Sequence, residues 1–278
     1  MKVDIFNILI NDKRLVIIFV ITFFINFLSV SSASLRFAGI KTNSITTSLS
    51  LSNIILLITR LANLFQTPFL GSMIDLAFKY NQIDTLLLKL HIIIFSATLG
   101  TFVGILFFNT FENIFIKWIN LFNKTLSIPK TFYYLIYPKT YLVIIKSISK
   151  VNFYLDKNVL KEVPKIIIFS SLFVSAFWTT GVLSAMYASV LVPEYARTAT
   201  ILSGIVNGIA TILFTIFLDP IIAHITDKVY NNQKDIKFLY NSVFLMLIFT
   251  LLGTILAQFV LKPGAYLIAI ITKLVATF

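Results

Sequence analysis

Six long apolar stretches, at about 15–35, 46–74, 87–110, 166–192, 199–224 and 239–261, dominate this sequence. Each is long enough to cross roughly 30 Å of hydrocarbon as a helix of about 20 residues. Lipid offers no partner to a backbone N–H or C=O, so a spanning segment must be a helix or part of a closed barrel. The stretches are uninterrupted and lack the in–out alternation of barrel strands, so helices are expected. The expected fold class is therefore an all-α integral membrane protein with six transmembrane helices.

Composition agrees. The chain is 58% hydrophobic and 12% charged, against about 45–50% and 25% in soluble domains. Its net charge of +12 comes from 23 Lys and Arg against 11 Asp and Glu. In a soluble protein that excess would point to nucleic acid. Here it lies between apolar spans, where Lys and Arg face anionic headgroups, so membrane lipids are the expected partner and nucleic acid is not. There is no cysteine, which excludes disulfides and thiolate metal sites. Lys13 and Arg14 followed by the run from Leu15 to Leu28, with Ser31 and Ala33 beyond, also resemble a signal peptide. Against that, the same kind of segment, apolar and then rich in small residues, recurs from Ile166 to Ser189.

The spans fall into two sets of three. Leu99-Gly100-Thr101 is matched by Leu252-Gly253-Thr254, and Pro68 with Asp75 by Pro220 with Asp227; Asn53 and Asn207 hold equivalent places in spans two and five. These matches keep one order and share an offset near 153 residues, the mark of an internal repeat. The expected organisation is an N-terminal segment (1–14), a first three-helix repeat (15–110), a basic interfacial connector (111–164), a second repeat (165–262) and a C-terminal tail (263–278). The connector is rich in Lys and carries Tyr133, Tyr134, Tyr137 and Tyr141 around Pro129 and Pro138, a pattern that suits the membrane surface. If it does not cross at 132–145, three spans per repeat make the second repeat inverted relative to the first. Secondary transporters use that architecture, with the substrate path at the interface of the repeats. The positive-inside count puts the connector, the 36–41 loop and the 228–237 loop in the cytoplasm.

Few residues stand out against so apolar a background. Arg60 falls near the middle of span two, where a charge costs about 2.5–3.5 kcal/mol on insertion scales. Thr46, Asn53, Arg60 and Thr67 recur every seven residues and so share one helix face, with Asn63 beside them. Two roles fit. Arg60 could neutralise a carboxylate such as Asp219, or the stripe could line a hydrated path in which guanidinium binds phosphate. The second is preferred. Span five carries Thr200, Gly204, Asn207 and Thr211, a small and polar face suited to helix packing. Asp219 precedes Pro220 near a span end, as a counter-ion or a protonatable group. Arg36 and Arg197 lie in the short turns after spans one and four, where headgroup contact is the ordinary role. The only histidines are His91 and His224, and no metalloprotease, nucleophile-elbow or phosphate-loop pattern occurs, so no enzyme, cofactor or metal is expected.

Several runs resemble the Amj family of bacterial lipid II flippases: Arg36 to Thr42, Ser50 to Ile55, Thr59 to Gly71, Gly181 to Ala188, Val192-Pro193-Glu194, Arg197 to Thr200, Val206 to Leu213, and Asp219-Pro220. The resemblance covers nearly the whole chain outside the connector, which departs from the family's pattern. It implies translocation of lipid II, the undecaprenyl-diphosphate-linked peptidoglycan precursor, across the bacterial cytoplasmic membrane. A groove lined by Arg60, Asn53, Asn63, Asn207 and Asp219, with Arg36 and Arg197 at its mouths, would then take the head group by alternating access. Another polyprenyl-diphosphate glycan as substrate, or a non-transporting scaffold for wall synthesis, are the alternatives. Six helices enclose little space for so large a head, so a homodimer is also considered.

Overall fold

The computed structural model describes residues 12–127, 130, 131, 133, 146–150 and 155–277. The expected choice between a crossing and a surface path at 132–145 falls, apart from position 133, outside them. The elements in order are α1 (Lys13–Ser32), α2 (Leu35–Lys41), α3 (Ile45–Lys79), α4 (Ile83–Leu106), α5 (Phe108–Thr125), α6 (Lys157–Glu162) and α7 (Lys165–Leu191). A 3-10 turn (Pro193–Tyr195) leads to α8 (Ala196–Ile201) and α9 (Ser203–Leu213). A π-turn (Phe214–Leu218) then joins α10 (Asp219–Tyr230), and α11 (Ile236–Ala276) ends the chain. No strand occurs among the described residues. Six stretches are long and apolar enough to cross a membrane: Lys13–Lys41, Ile45–Lys79, Ile83–Leu106, Lys165–Leu191, Pro193–Tyr230 and Ile236–Ala276. They coincide with the six read from the sequence. The expected C-terminal tail, however, continues α11 without a break to Ala276.

Helix ends are set by local chemistry. The side chains of Asp12, Asp156 and Asp235 accept backbone N–H bonds at the starts of α1, α6 and α11, satisfying donors that a helix leaves orphaned. α3 and α10 stop alike. Asn81 and Asn232 take left-handed backbone, which Asn tolerates better than most residues, and the chain closes with Gln82 N–H to the Ala77 carbonyl and Gln233 N–H to the Lys228 carbonyl. Both stops produce tight reversals into α4 and α11.

Helices buried in lipid gain little by hiding apolar surface from one another, so close backbone approach and interhelical hydrogen bonds must hold them. α1 and α4 run side by side in the same direction. The Ser96 hydroxyl donates to the Phe19 carbonyl, and a Cβ added at Gly100 would fall on the Phe23 carbonyl oxygen. α7 and α11 do likewise. The Ser175 hydroxyl donates to the Thr250 carbonyl at 2.8 Å, Ser184 donates to the Leu261 carbonyl at 3.1 Å, and a Cβ at Gly253 would fall on the Leu172 carbonyl oxygen. The two Leu-Gly-Thr triplets thus mark two backbone contacts of one kind. The Ser96–Phe19 and Ser184–Leu261 bonds even span the same 77 residues.

The two helix sets meet along α4 and α11. His91 Nδ1 lies 2.6 Å from Gln258 Oε1, and Gln258 Nε2 donates to the His91 carbonyl at 3.1 Å. Towards the other end, the Tyr240 hydroxyl donates to Glu112 of α5, and Phe37 stacks on Tyr240 while meeting Phe108 edge-on. Rising numbers on α4–α5 therefore meet falling numbers on α11, so the crossing is antiparallel. The α2–α3 turn, the connector and the α10–α11 turn gather on one face, joined by Lys41–Glu112, Asn123–Ser44, Asp156–Asn241 and Lys234–Glu162. We call it the connector face.

On the opposite face Asp12 ties three helices together. It bridges to Lys89 of α4 at 2.5 Å and to Arg14 at 3.3 Å, and Arg14 donates to Ser72 of α3 at 2.8 Å. Burial alone would raise the Asp12 carboxyl, but the hydrogen bond and charge of Lys89, with Arg14, outweigh it and hold the group below its ordinary value of 3.8. A lowered acid stabilises the fold above its ordinary value and loses that contribution as pH falls through the folded value. Thermal unfolding in detergent should therefore worsen as the pH drops below about 4, and Asp12→Asn should blunt that slope. Gly100→Val and Gly253→Val should each lower the unfolding midpoint by the equivalent of about 1–3 kcal/mol. Gly71→Ala, where an added Cβ meets nothing within 4 Å, should leave it unchanged or raise it.

Candidate functional site

The polar stripe of α3 forms as a helix and lies outward. Thr46, Asn53, Arg60 and Asn63 are exposed and Thr67 is half-buried. Around them Leu57, Leu61, Leu64 and Phe65 are exposed as well. Arg60 has no carboxylate within ion-pair reach among the described residues. Pairing of Arg60 with Asp219, one of the two roles open in the sequence, does not occur, because Asp219 is held by Arg36. Asn63 is oriented rather than free: buried Gln66 donates to its Oδ1 at 2.9 Å, and Thr22 of α1 fixes Gln66 through a 3.0 Å hydroxyl bond. A shallow cavity of ≈ 170 Å³ opens at the foot of the stripe, lined by Thr46, Thr47, Ser50, Leu51, Ile54 and Phe122.

The expected residues of the second half separate into different environments. Asn207 packs against α7, where an added Cβ at Gly181 would meet its Oδ1. Gly204 and Gly208 face open space instead of a neighbouring helix, so the small face of α9 is only partly used for packing. Arg197 is exposed on α8 with no ion pair among the described residues. It lies on the face opposite the connector, near the end of α7.

Arg36 and Asp219 come together across 183 residues of sequence. The Arg36 Nη2 donates to Asp219 Oδ1 at 2.6 Å. The guanidinium is 14% exposed and the carboxylate 47%. A half-buried pair of this kind is far more costly to break on the buried side, which would keep its charge and lose its partner. Asp219 sits where the π-turn meets Pro220, and neither irregularity carries a regular i→i−4 ladder. The second nitrogen of the fork, Nη1, is buried with no hydrogen-bond partner.

A second charged cluster lies on the same face and was not singled out in the sequence. Glu112 is 4% exposed; Lys41 Nζ stands 2.5 Å from its Oε1, and Tyr240 donates to Oε2 at 3.0 Å. Burial of a carboxylate demands such partners. Its partners lie 71 and 128 positions away, so one of three acidic residues in a basic connector gave no signal of the arrangement. Among the described residues no group of three or more His, Asp or Glu could hold a metal ion.

Chemically, the guanidinium groups of Arg36, Arg60 and Arg197 and the amides of Asn53 and Asn63 are hydrogen-bond donors suited to an anion. The profile described as "Amj: Alternate to MurJ" matches residues 21–272. This chain belongs to the Amj family. It is 31% identical over 274 residues to the lipid II flippase Amj of Bacillus subtilis (strain 168), covering 94% of this chain and 97% of that one. No solved structure matches.

The Glu112 cluster joins α2, α5 and α11, and its loss should be felt in stability. Glu112→Ala leaves the Tyr240 hydroxyl without this acceptor and should cost about 1–3 kcal/mol, read as a lower unfolding midpoint in detergent. Glu112→Gln, which keeps an acceptor oxygen, should lose less.

Proposed function

We propose that this protein flips lipid II across the bacterial cytoplasmic membrane by alternating access between two inverted three-helix halves. The observation that carries the substrate is the near-full-length similarity to a lipid II flippase. Two features support the mechanism. The parallel α1–α4 and α7–α11 pairs are each joined by a serine hydroxyl donating to a carbonyl across the seam and by a glycine set against a carbonyl of the partner helix. The two pairs then meet antiparallel along α4 and α11, as halves related by a two-fold axis in the membrane plane would.

A lipid-linked diphosphate cannot cross hydrocarbon unaided, because its charges would lose their water. Arg60, with Asn53 and Asn63 on the exposed face of α3, offers hydrogen-bond donors and a permanent positive charge part-way across the bilayer, open to the side where a polyprenyl tail would remain in lipid. Asn207 and Asp219 contribute from the second half. Arg36 and Arg197 stand near opposite faces, suited to capture and release. The connector face carries most of the Lys residues and is assigned to the cytoplasm by the positive-inside rule. A second copy across the exposed α3 face would enlarge the enclosure for the head group.

The test is reconstitution into liposomes with fluorescent lipid II. Exposure of the lipid on the far leaflet should be faster than in protein-free vesicles. No acceleration under any imposed ion gradient defeats the proposal. Arg60→Ala should slow transport by about tenfold or more, the worth of one charge-assisted contact, without loss of folded protein; full activity would remove Arg60 from the path.

A further inference from the structure

We infer that the Arg36–Asp219 ion pair is a latch between the two halves, opened when a diphosphate group takes the place of Asp219 on Arg36. The inference rests on the flippase reading above and names how its substrate would move the protein.

The pair is built asymmetrically. Arg36 is buried on α2 of the first half and Asp219 is half-exposed on α10 of the second. The fork is used by one nitrogen only: Nη2 holds Asp219 Oδ1, while Nη1 is buried and unpartnered. Guanidinium binds best when two nitrogens engage two oxygens. A buried donor left unsatisfied costs free energy that a new acceptor recovers. A diphosphate presents several oxygens and more than one negative charge, so it can fill both nitrogens where Asp219 fills one. Asp219 can leave at lower cost, since its side chain is already half-exposed. Its anchor is also the most deformable in the span, a π-turn running into Pro220.

The surroundings make the exchange consequential. Asp227, two turns further along α10, also acts on Arg36 through its negative charge. Next to the pair, Phe37 stacks on Tyr240 of the second half with ring centres 4.3 Å apart. Among the described residues, the polar ties of the connector face include Arg36–Asp219 and the Glu112–Tyr240 bond between the halves, with Asp156–Asn241 and Lys234–Glu162 joining the connector to α11 and the α10–α11 turn. Loss of the first removes the charged contact between α2 and α10. Toward the opposite face the halves meet through His91–Gln258 and apolar side chains, among them Leu70, Ile74, Leu183 and Met186, with no ion pair joining the halves there among the described residues.

The chain has no cysteine, so two can be placed without background. Spin labels at Lys124→Cys on α5 and Gln233→Cys in the α10–α11 turn, both exposed, report the separation of the halves at the connector face in nanodiscs. Undecaprenyl diphosphate should lengthen that distance. Inorganic pyrophosphate should do so at higher concentration, and nanodiscs rich in phosphatidylglycerol without either should not. Asp219→Asn should lengthen it with no ligand. The exchange Arg36→Asp with Asp219→Arg restores a pair but removes the fork from its buried site; it should keep the short distance, ignore undecaprenyl diphosphate, and lower lipid II transport by about tenfold or more. A purely structural bridge would instead leave the exchanged protein transporting as before. An unchanged wild-type distance with undecaprenyl diphosphate overturns the latch, as does opening by phosphatidylglycerol alone. Opening by diphosphate in a protein that moves no lipid II would leave the latch standing and remove the flippase assignment.

Discussion

Close contact between helix backbones at Gly100 and Gly253 underlies the rest of the bundle. Lipid tails are as apolar as leucine, so no solvent pressure drives these helices together. Contact distance decides. Each glycine lets a neighbouring carbonyl approach to where a methyl group would otherwise stand, and serine hydroxyls beside it donate across the same seam. The result is two rigid parallel pairs, α1 with α4 and α7 with α11.

Charge is then spent sparingly and unevenly. On one face Asp12, Lys89 and Arg14 lock α1, α3 and α4 within a single half. On the connector face the ion pair of Arg36 and the Tyr240–Glu112 bond reach between halves. A tie within a half stiffens it, whereas a tie between halves fixes their relative position. The π-turn and proline beside Asp219 put the weakest stretch of helix at the second kind of tie. Arg60 belongs to neither class. It stands outward on α3, with no carboxylate in ion-pair reach among the described residues.

The spans were legible because their length and apolarity answer to one solvent, and any chain with that pattern must hide its backbone in helices. The heptad of Thr46, Asn53 and Arg60 was legible for a similar reason: helical periodicity fixes a common face wherever the helix goes. The pairings of the charges were not. Asp219 could have answered Arg60 or Arg36, both cations of equal chemistry in the other half, and nothing local distinguishes them. Glu112 carried no mark of burial, lying in a connector whose composition reads as surface. Asn207 looked equivalent to Asn53 by position, yet Asn207 meets Gly181 of α7 while Asn53 is exposed.

The sequence by itself determined six helices long and apolar enough to cross a membrane, their order, the recurrence of the Leu-Gly-Thr triplet and the faces on which polar side chains emerge. Those follow from residue type and spacing, which act over one or a few helical turns. The tertiary structure alone decided that Arg36 meets Asp219, that Lys41 and Tyr240 enclose Glu112, and that Arg60 points outward. Such contacts join residues 71 to 183 positions apart, and their identity depends on how helices stack and slide, a matter of packing geometry that no local pattern encodes.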